Sequence, residues 1–473
     1  MIGPTGNVRS AMLRVFKHYI PYAVLALGLI DLVALMFAGE IGWQLRAYQI
    51  AMDPGHPGER LVPLASFALS IWLAMVAVGA YSSEALLSVR ISVTRLLAAI
   101  SLGVIFLSLM NFLAPGATLW RSNSFYAMVA AIIIVIGLRI VVSRAIDTRK
   151  FRRRIVVLGA GKRAERIRLL AQRPDSGFTI AGLVAMNDGP YVVEDATPRG
   201  EIANLARYVV ERDATEVVLA LEERRNALPL DDLLRIKTTG VHVNDISSFF
   251  ERETGRVDLD SVNPSWFIFS DGFTAGQRLS KFGKRVFDIV VSLVLLVLAI
   301  PLVALFGLAV KIGSSGPIFY RQQRVGLYGQ PYDIIKLRSM RQDAESAGHA
   351  VWASQDDPRV TTIGRWMRKL RIDELPQGWC ILKGDMSFVG PRPERPQFVD
   401  QLQARIPYYA ERHMVKPGLT GWAQINLPYG ASVEDSREKL EYDLYYAKNY
   451  TPFLDILILL QTIRVVLWPA GAR

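Results

Sequence analysis

Cysteine is nearly missing from this chain: among 473 residues there is one, Cys380. A lone thiol excludes a disulfide framework and a thiolate zinc cluster. Histidine is sparse too, and His18, His56, His242, His349 and His413 are scattered without metal-ligand spacing. Charged residues make up only 21%, against about a quarter in an ordinary soluble domain. Acids are the scarcer sign, 43 against 55 Lys+Arg, which leaves a net charge of +12. Apolar residues take their place: 51% of the chain is hydrophobic and the mean hydropathy is +0.23. That excludes a disordered chain, which needs low hydrophobicity. Positive excess beside long apolar runs points to the anionic inner leaflet of a membrane, and nucleic acid is not an expected partner. At ~100–200 residues per domain, the length suits about three domains.

A bilayer-spanning helix needs about 20 mostly apolar residues. Residues 22–39, 61–81, 96–113 and 125–142 qualify. The first, followed by three more spans and far from a small-residue cleavage site, does not read as a removable signal peptide. The N-terminal arm carries Arg9, Arg14 and Lys17 with no acid. The stretch after the fourth run carries Arg144, Arg149, Lys150, Arg152, Arg153 and Arg154 against Asp147 alone. The intervening loops are balanced (Arg46 and Arg60 against Glu40, Asp53 and Glu59) or nearly neutral (Arg121). By the positive-inside rule, both ends of this four-helix unit face the cytoplasm. A fifth run, 289–310, has 22 residues and no charge. It is flanked on both sides by cations, Lys281, Lys284 and Arg285 before it and Lys311, Arg321 and Arg324 after it, and it contains Pro301. A helix–break–helix entering and leaving by one leaflet satisfies these facts; a kinked span with the last domain outside is the alternative. The tail 452–468 mixes Asp455, Gln461 and Arg464 into an apolar stretch and reads as a buried or interfacial helix.

From 151 to about 270, short apolar runs at 155–158, 178–184, 216–221 and 240–243 alternate with helix-like stretches at 165–172, 201–212 and 231–238. That alternation implies a small parallel sheet of Rossmann type. Gly159-Ala160-Gly161-Lys162-Arg163-Ala164 fits the glycine-rich turn of such a sheet. Dinucleotide binding would also need an acid about 20 residues on, and Asp188 comes later, about 30 residues beyond Gly159. No Tyr-x-x-x-Lys pair follows within the domain. The reading taken is a scaffold or regulatory domain with a vestigial or unassigned pocket.

From Gly316 onward the chain is rich in Gly, Arg, Asp and Pro. Residues 318–323 and 332–337 read as a hairpin, and the spacing of Lys336 and Arg338 places both cations on one face of an extended chain. Arg359, then Arg365, Arg368, Lys369 and Arg371, lead into the acid pair Asp373-Glu374. Pro376 suits the first turn of a helix ending near Gly384, whose positive dipole end would favour ionised Asp373. Two adjacent carboxylates among cations are what a diphosphate substrate requires, with a divalent cation offsetting the like-charge repulsion. Oxygen ligands of this kind suit Mg²⁺ or Mn²⁺, and an Asp oxygen can attack phosphorus. Spacing alone equally allows surface ion pairs with the preceding arginines. Arg392, between Pro391 and Pro393, is pre-oriented for phosphate or base contact, or else marks a rigid turn. Thr420 reads as part of a tight turn, and Tyr408-Tyr409 and Tyr445-Tyr446 as core or interface aromatics.

Residues 281–473, through KLRSM, RIDELPQ, LKGDMSFVGPRPE, KPGLTGWAQIN and DLYYAKN, resemble the bacterial sugar transferase family, the monotopic phosphoglycosyl transferases. The wording from 426 to 449 resembles the subgroup linked to exopolysaccharide loci and the PEP-CTERM system. The resemblance implies a multidomain membrane protein: a four-helix transmembrane bundle (1–150), a degenerate Rossmann-like α/β domain (151–270) and an α/β monotopic catalytic domain (271–473) with a re-entrant membrane helix at 286–311. It implies transfer of sugar-1-phosphate from a UDP-sugar to polyprenyl phosphate with release of UMP, in a bacterial inner membrane with the soluble domains facing the cytoplasm. Asp373 matches the family nucleophile that forms a covalent phosphosugar, and Glu374 its partner acid at the Mg²⁺ site. Arg368 matches a phosphate-binding arginine, Lys336 and Arg338 the basic pair, and Pro391-Arg392-Pro393 the nucleotide-contacting motif. Arg359 joins the substrate-binding set, and a homodimer is an option. The chain departs from the family pattern at Ile300, where Ser is frequent before the hinge proline, and at Arg371 and Ile372 before the acid pair. Rival readings are a glycosyltransferase releasing UDP, a membrane scaffold for polysaccharide assembly, and a nicotinamide-dependent sugar-modifying enzyme.

Overall fold

The structure is a computed structural model that describes residues 12–15, 18–81, 89–145, 152–173, 176–186, 191–223, 228–262, 264–269, 278–342, 344, 357–427, 430 and 432–467. Asp188, His349 and the flanking charges Arg9, Lys17, Asp147, Arg149 and Lys150 lie outside these residues. The chain divides into two compact units, Met1–Ser261 and Val262–Arg473.

In the first unit the four apolar runs form helices α1 (Tyr22–Gln49), α2 (Leu61–Ala77), α3 (Val89–Leu113) and α4 (Arg121–Ala145). Each is long and apolar enough to cross a membrane. Leu35, Phe67, Ile71, Met75, Ala99 and Ala131 interlock between them. Leu29, Phe37, Ile105 and Ile133 point outward without protein cover, which hydrocarbon tolerates and water does not. Asp31 and Arg139 join α1 to α4 through a buried ion pair of 2.6 Å, as a charge within an apolar span requires.

The same unit contains a five-stranded parallel sheet, β3 (Arg153–Leu158), β4 (Phe178–Ala185), β5 (Thr197–Pro198), β6 (Glu216–Leu219) and β7 (His242–Asp245), in spatial order β5-β4-β3-β6-β7. It follows a short hairpin, β1 (Met12–Val15) with β2 (His18–Pro21). Strand β3 explains why the sequence shows an unbroken apolar run. Val156 and Leu158 face a core with Leu205, Val209 and Ile236, while Ile155 and Val157 face another with Ile167, Phe178 and Phe249. Helices α5 (Lys162–Ala171), α6 (Leu205–Glu211) and α7 (Leu230–Thr238) fall where the alternation places them. A further helix, α8 (Ile246–Thr254), was not expected; its signal is the N-cap Asp245, whose carboxylate accepts from the Ser247 N–H at 3.4 Å.

The second unit starts at Val262. Helix α9 (Pro264–Phe269) belongs to it: Trp266 lies 4.4 Å beneath the Lys448 ammonium, and Phe267 packs on Tyr408. Helix α10 (Arg278–Gly313) is a single 36-residue element: the break expected at Pro301 does not interrupt it, although the proline removes one intrahelical hydrogen bond and favours a bend. Near its start, Arg285 donates to the carbonyls of Ile381 (2.7 Å) and Leu382 (2.6 Å), and Asp288 accepts from Ser387 Oγ (3.0 Å) and the Phe388 N–H (3.2 Å). Near its end, Val310 enters a core with Leu337, Met367 and Ile372. Between these anchors, Val290, Val294, Val297, Leu298 and Leu305 are exposed. The antiparallel hairpin β8 (Phe319–Val325) and β9 (Pro331–Leu337) follows, in the expected place. The tail helix, Pro452–Leu467, buries Leu454 and Ile458 and ties Asp455 to Lys284 at 2.5 Å.

Candidate active site

Helix α11 (Thr362–Lys369) starts on Thr361, whose hydroxyl accepts from the Gly364 N–H at 2.9 Å. It stops because Arg371 adopts φ +58°, ψ +19°, a left-handed conformation that costs a non-glycine residue about 1–2 kcal/mol. That reversal opens a 3₁₀ turn, Ile372–Gln377, which runs into the short helix α12 (Gly378–Lys383). Ile372 is buried against Val310, Leu337 and Met367. With that anchor set, Asp373 and Glu374 are buried as well, 6% and 8% exposed.

Glu374 is held by cations from three separate segments. Its Oε1 accepts from Lys336 Nζ on β9 and from Arg392 Nη2, both at 3.1 Å, and its Oε2 lies 3.7 Å from Arg371 Nη1. Burial alone would push this carboxyl up; the Lys336, Arg392 and Arg371 charges outweigh it and hold Glu374 well below the usual carboxylate range. Asp373 differs. Its Oδ1 is buried with no hydrogen-bond partner. Burial and then the neighbouring Glu374 charge raise this carboxyl above its ordinary value, against the pull of Lys336, Arg368 and Arg371. The helix expected to begin near Pro376 begins at Gly378, and Asp373 stands within the preceding 3₁₀ turn, where burial and Glu374 set the direction of its shift.

Arg392 is positioned through the backbone around it. The carbonyl of Pro391 accepts from the Gly418 N–H (2.9 Å), that of Arg392 from Arg412 Nη2 (3.0 Å) and that of Pro393 from Arg324 Nη1 (3.1 Å). Three consecutive carbonyls are thus fixed, and the two prolines fix φ on either side. Gly418 belongs to β11 (Gly418–Thr420), which pairs in parallel with β10 (Ser387–Val389). A Cβ on Gly418 would lie 2.1 Å from the Gly390 nitrogen, so only glycine allows this approach. Arg412 in turn is buried, bonded to Asp443 Oδ2 (2.7 Å) and to the Tyr409 hydroxyl (2.7 Å).

Not every expected cation reaches the acid pair. Arg338 lies just past the end of β9 and donates to the carbonyls of Ser314 and Ser315 beyond the C-terminus of α10, so it closes that helix and does not face Glu374 with Lys336. Arg359 is bonded to Asp357, at 2.8 Å through Nε and 2.5 Å through Nη2. The charge of Arg368 pulls the Asp373 carboxyl down. Thr420 bonds Thr462 at 2.8 Å, in keeping with a structural turn, and Tyr409, Tyr445 and Tyr446 are buried core residues. Of the preceding arginines that spacing allowed to pair with the acids, Arg371 does so, through its i, i+3 relation to Glu374, although that carboxylate is buried and not on the surface. Sequence reasoning missed Arg412 and Asp443, which are 31 residues apart and carry no local pattern.

Comparison with known proteins places this arrangement. Residues 279–469 match the family described as bacterial sugar transferase, and residues 76–239 match one described as CoA-binding domain. A protein of Bacillus subtilis (strain 168), named uncharacterized sugar transferase EpsL, is 44% identical over 193 residues, 40% of this chain and 90% of that protein. The chain belongs to the bacterial sugar transferase family. All the residues around Asp373 and Glu374 lie inside the region matched as sugar transferase. An Aeromonas hydrophila protein named UDP-N-acetylgalactosamine-undecaprenyl-phosphate N-acetylgalactosaminephosphotransferase is 42% identical over 241 residues, 51% of this chain but about half, 56%, of that protein's length. Similarity to a sugar transferase of Xanthomonas campestris pv. campestris, named UDP-glucose:undecaprenyl-phosphate glucose-1-phosphate transferase, extends over 369 residues at 29% identity, 74% of this chain and 73% of that protein.

Proposed function

We propose that this chain transfers sugar-1-phosphate from a UDP-sugar to undecaprenyl or a similar polyprenyl phosphate, with Asp373 as nucleophile, to start exopolysaccharide or related glycoconjugate assembly. The names of its relatives support the reaction class. The observation that carries the site assignment is the contrast between the two acids: Asp373 Oδ1 is buried and unpartnered, while Glu374 beside it is held by Lys336 and Arg392. In the first half-reaction an Asp373 oxygen bonds to the sugar-linked phosphorus. The bond from that phosphorus to the bridging oxygen breaks, and UMP leaves with the electron pair. In the second, an oxygen of polyprenyl phosphate attacks the same phosphorus and the Asp373 carboxylate is released. Lys336, Arg368, Arg371 and Arg392 offset the diphosphate charge and hold it in line.

Asp373 and Glu374 offer hard oxygen donors, but among the described residues no group of three or more His, Cys, Asp or Glu could hold a metal ion by itself, so Mg²⁺ held here would need the substrate phosphates as well. Mg²⁺ commonly binds through one or two carboxylates plus substrate phosphates. When bound it would supply further neutralisation of the phosphoryl oxygens.

Helix α10 supports a placement on one face of the membrane. Arg285 and Asp288 near its start and Val310 near its end all pack on the second unit, with an exposed apolar stretch between. A helix that dips into one leaflet and returns keeps both ends with that unit, at the cytoplasmic surface of the inner membrane. Confinement of both substrates there raises their effective concentration.

The test is the nucleotide released. Incubation with polyprenyl phosphate and a panel of UDP-sugars is expected to yield UMP, and Asp373→Asn to abolish both UMP release and trapping of labelled sugar phosphate on the protein. Release of UDP, or turnover by Asp373→Asn near the wild-type rate, refutes the reading. The panel also identifies the sugar, on which the relatives' names differ.

A further inference from the structure

The region matched as CoA-binding domain includes the Gly159–Gly161 turn after β3. In sheets of this kind ligands bind beyond the carboxyl ends of the strands, where the strand order reverses. In the order β5-β4-β3-β6-β7 that point lies between β3 and β6. A diphosphate bound there relies on the N–H groups of the first turn of α5, favoured by the positive end of the helix dipole.

That place is already taken by a carboxylate of the chain. Glu222, three residues past the end of β6, accepts a hydrogen bond from the backbone N–H of Arg163 at 2.7 Å through Oε1. A Cβ built on Gly161 would lie 2.6 Å from both Cγ and Oε1 of Glu222, so the glycine makes room for a side chain and not for a ligand. The Arg163 side chain is drawn to the same strand end: Nη1 donates to the Leu221 carbonyl at 2.5 Å and Nε lies 3.8 Å from Glu222 Oε2. The Ala160 carbonyl accepts from the N–H groups of Val192 (2.7 Å) and Val193 (3.0 Å), which closes the turn from another side. The residues present therefore do not fit the pyrophosphate of CoA or of a dinucleotide.

We infer that Glu222 is the built-in anion of this cradle, so that the middle domain excludes the diphosphate of CoA or a nucleotide, and the cradle becomes an anion site only when that carboxylate is removed. A diphosphate approaching the turn meets a like charge and must displace a charge-assisted hydrogen bond before it can reach the Arg163 N–H. The inference is independent of the chemistry at Asp373.

Photolabelling of the full-length protein in detergent with 8-azido-ADP, followed by mapping of the labelled peptides, tests it without interference from the second unit. Wild type is expected to show no saturable labelling of peptides within 155–223 at probe concentrations up to about 1 mM, and Glu222→Ala to label there with half-saturation at least about tenfold lower than that limit. Glu222→Gln keeps the side-chain size and drops the charge, and is expected to label between the two. Saturable labelling of these peptides in wild type below about 1 mM overturns the inference. So does a failure of both variants to gain labelling while their thermal unfolding matches wild type; should Glu222→Ala not fold, Glu222→Gln alone decides.

Discussion

Two carboxylates adjacent in sequence occupy opposite electrostatic environments. Asp373 has burial and the Glu374 charge against it, whereas Glu374 has Lys336 and Arg392 within 3.1 Å. Their replacement should therefore change stability in opposite directions. A carboxyl whose folded value is raised favours the fold while protonated and opposes it once ionised, so its contribution is lost as pH rises through that value. Asp373→Asn is expected to raise the melting temperature at pH 7 by about 1–3 °C, and the gain should vanish near pH 4, the ordinary range for Asp. Glu374→Gln leaves the part-buried Lys336 ammonium and Arg392 without their carboxylate and should cost about 1–3 kcal/mol at pH 7. Thermal scans of the detergent-purified protein at both pH values check this; an Asp373→Asn variant less stable than wild type at pH 7 contradicts the account. The acid pair, Lys336 and Arg392 were legible in the sequence because they stand in dense motifs. Arg338 was misplaced because an i, i+2 rule holds only within a strand, and this residue lies just beyond one, next to the Ser314 and Ser315 carbonyls past the end of α10.

The loop between β10 and α13 (Pro396–Gln403) shows how elements carry a side chain to its task. Its three fixed carbonyls link it to β11, to β8 through Arg324 and to the buried Arg412–Asp443 pair, while β10 just before it is bonded to α10 through Asp288. Arg412 touches no residue of the acid pair; it positions Arg392 by holding its carbonyl. Arg412→Lys cannot span Asp443, the Tyr409 hydroxyl and that carbonyl at once, since an ammonium lacks the planar fork. Turnover is expected to fall by about tenfold to a hundredfold, because a small misplacement of a clamp has that effect. The UMP-release assay checks it, and the loss should appear in kcat more than in KM. A variant with reduced stability and unchanged kcat would leave Arg412 a purely structural role. At this scale the sequence was readable wherever length or alternation set the element, as in the four apolar helices, four of the five parallel strands and the hairpin; β5, two residues long, left no run to read. It was silent where a link joins segments far apart in the chain, as between Arg412 and Asp443 or between Asp288 and Ser387, because packing, and no local periodicity, creates those contacts.

For the whole molecule, the decisive question is whether both ends of α10 face the same side. Hydropathy pulls both ways: 22 uncharged residues are long enough to span, while cations on both flanks oppose crossing. The one-leaflet placement proposed above rests on tertiary contacts instead. Hydrocarbon about 30 Å thick would separate the ends of a spanning helix, yet Arg285 is bonded to the Ile381 and Leu382 carbonyls and Val310 shares a core with Met367 and Ile372, all in one unit. The scarcity of cysteine makes the experiment clean. Cys380 is the single native thiol and is buried, so Cys380→Ala supplies a silent background. Lys281→Cys and Ser315→Cys then place one exposed thiol at each end of α10, and Glu59→Cys marks the loop between α1 and α2. With a membrane-impermeant maleimide, the two α10 positions should label in inverted vesicles and stay protected in intact spheroplasts, with Glu59→Cys showing the reverse. If Lys281→Cys and Ser315→Cys label from opposite sides, α10 crosses the bilayer, and the acid pair cannot be assigned to the cytoplasmic face on these grounds.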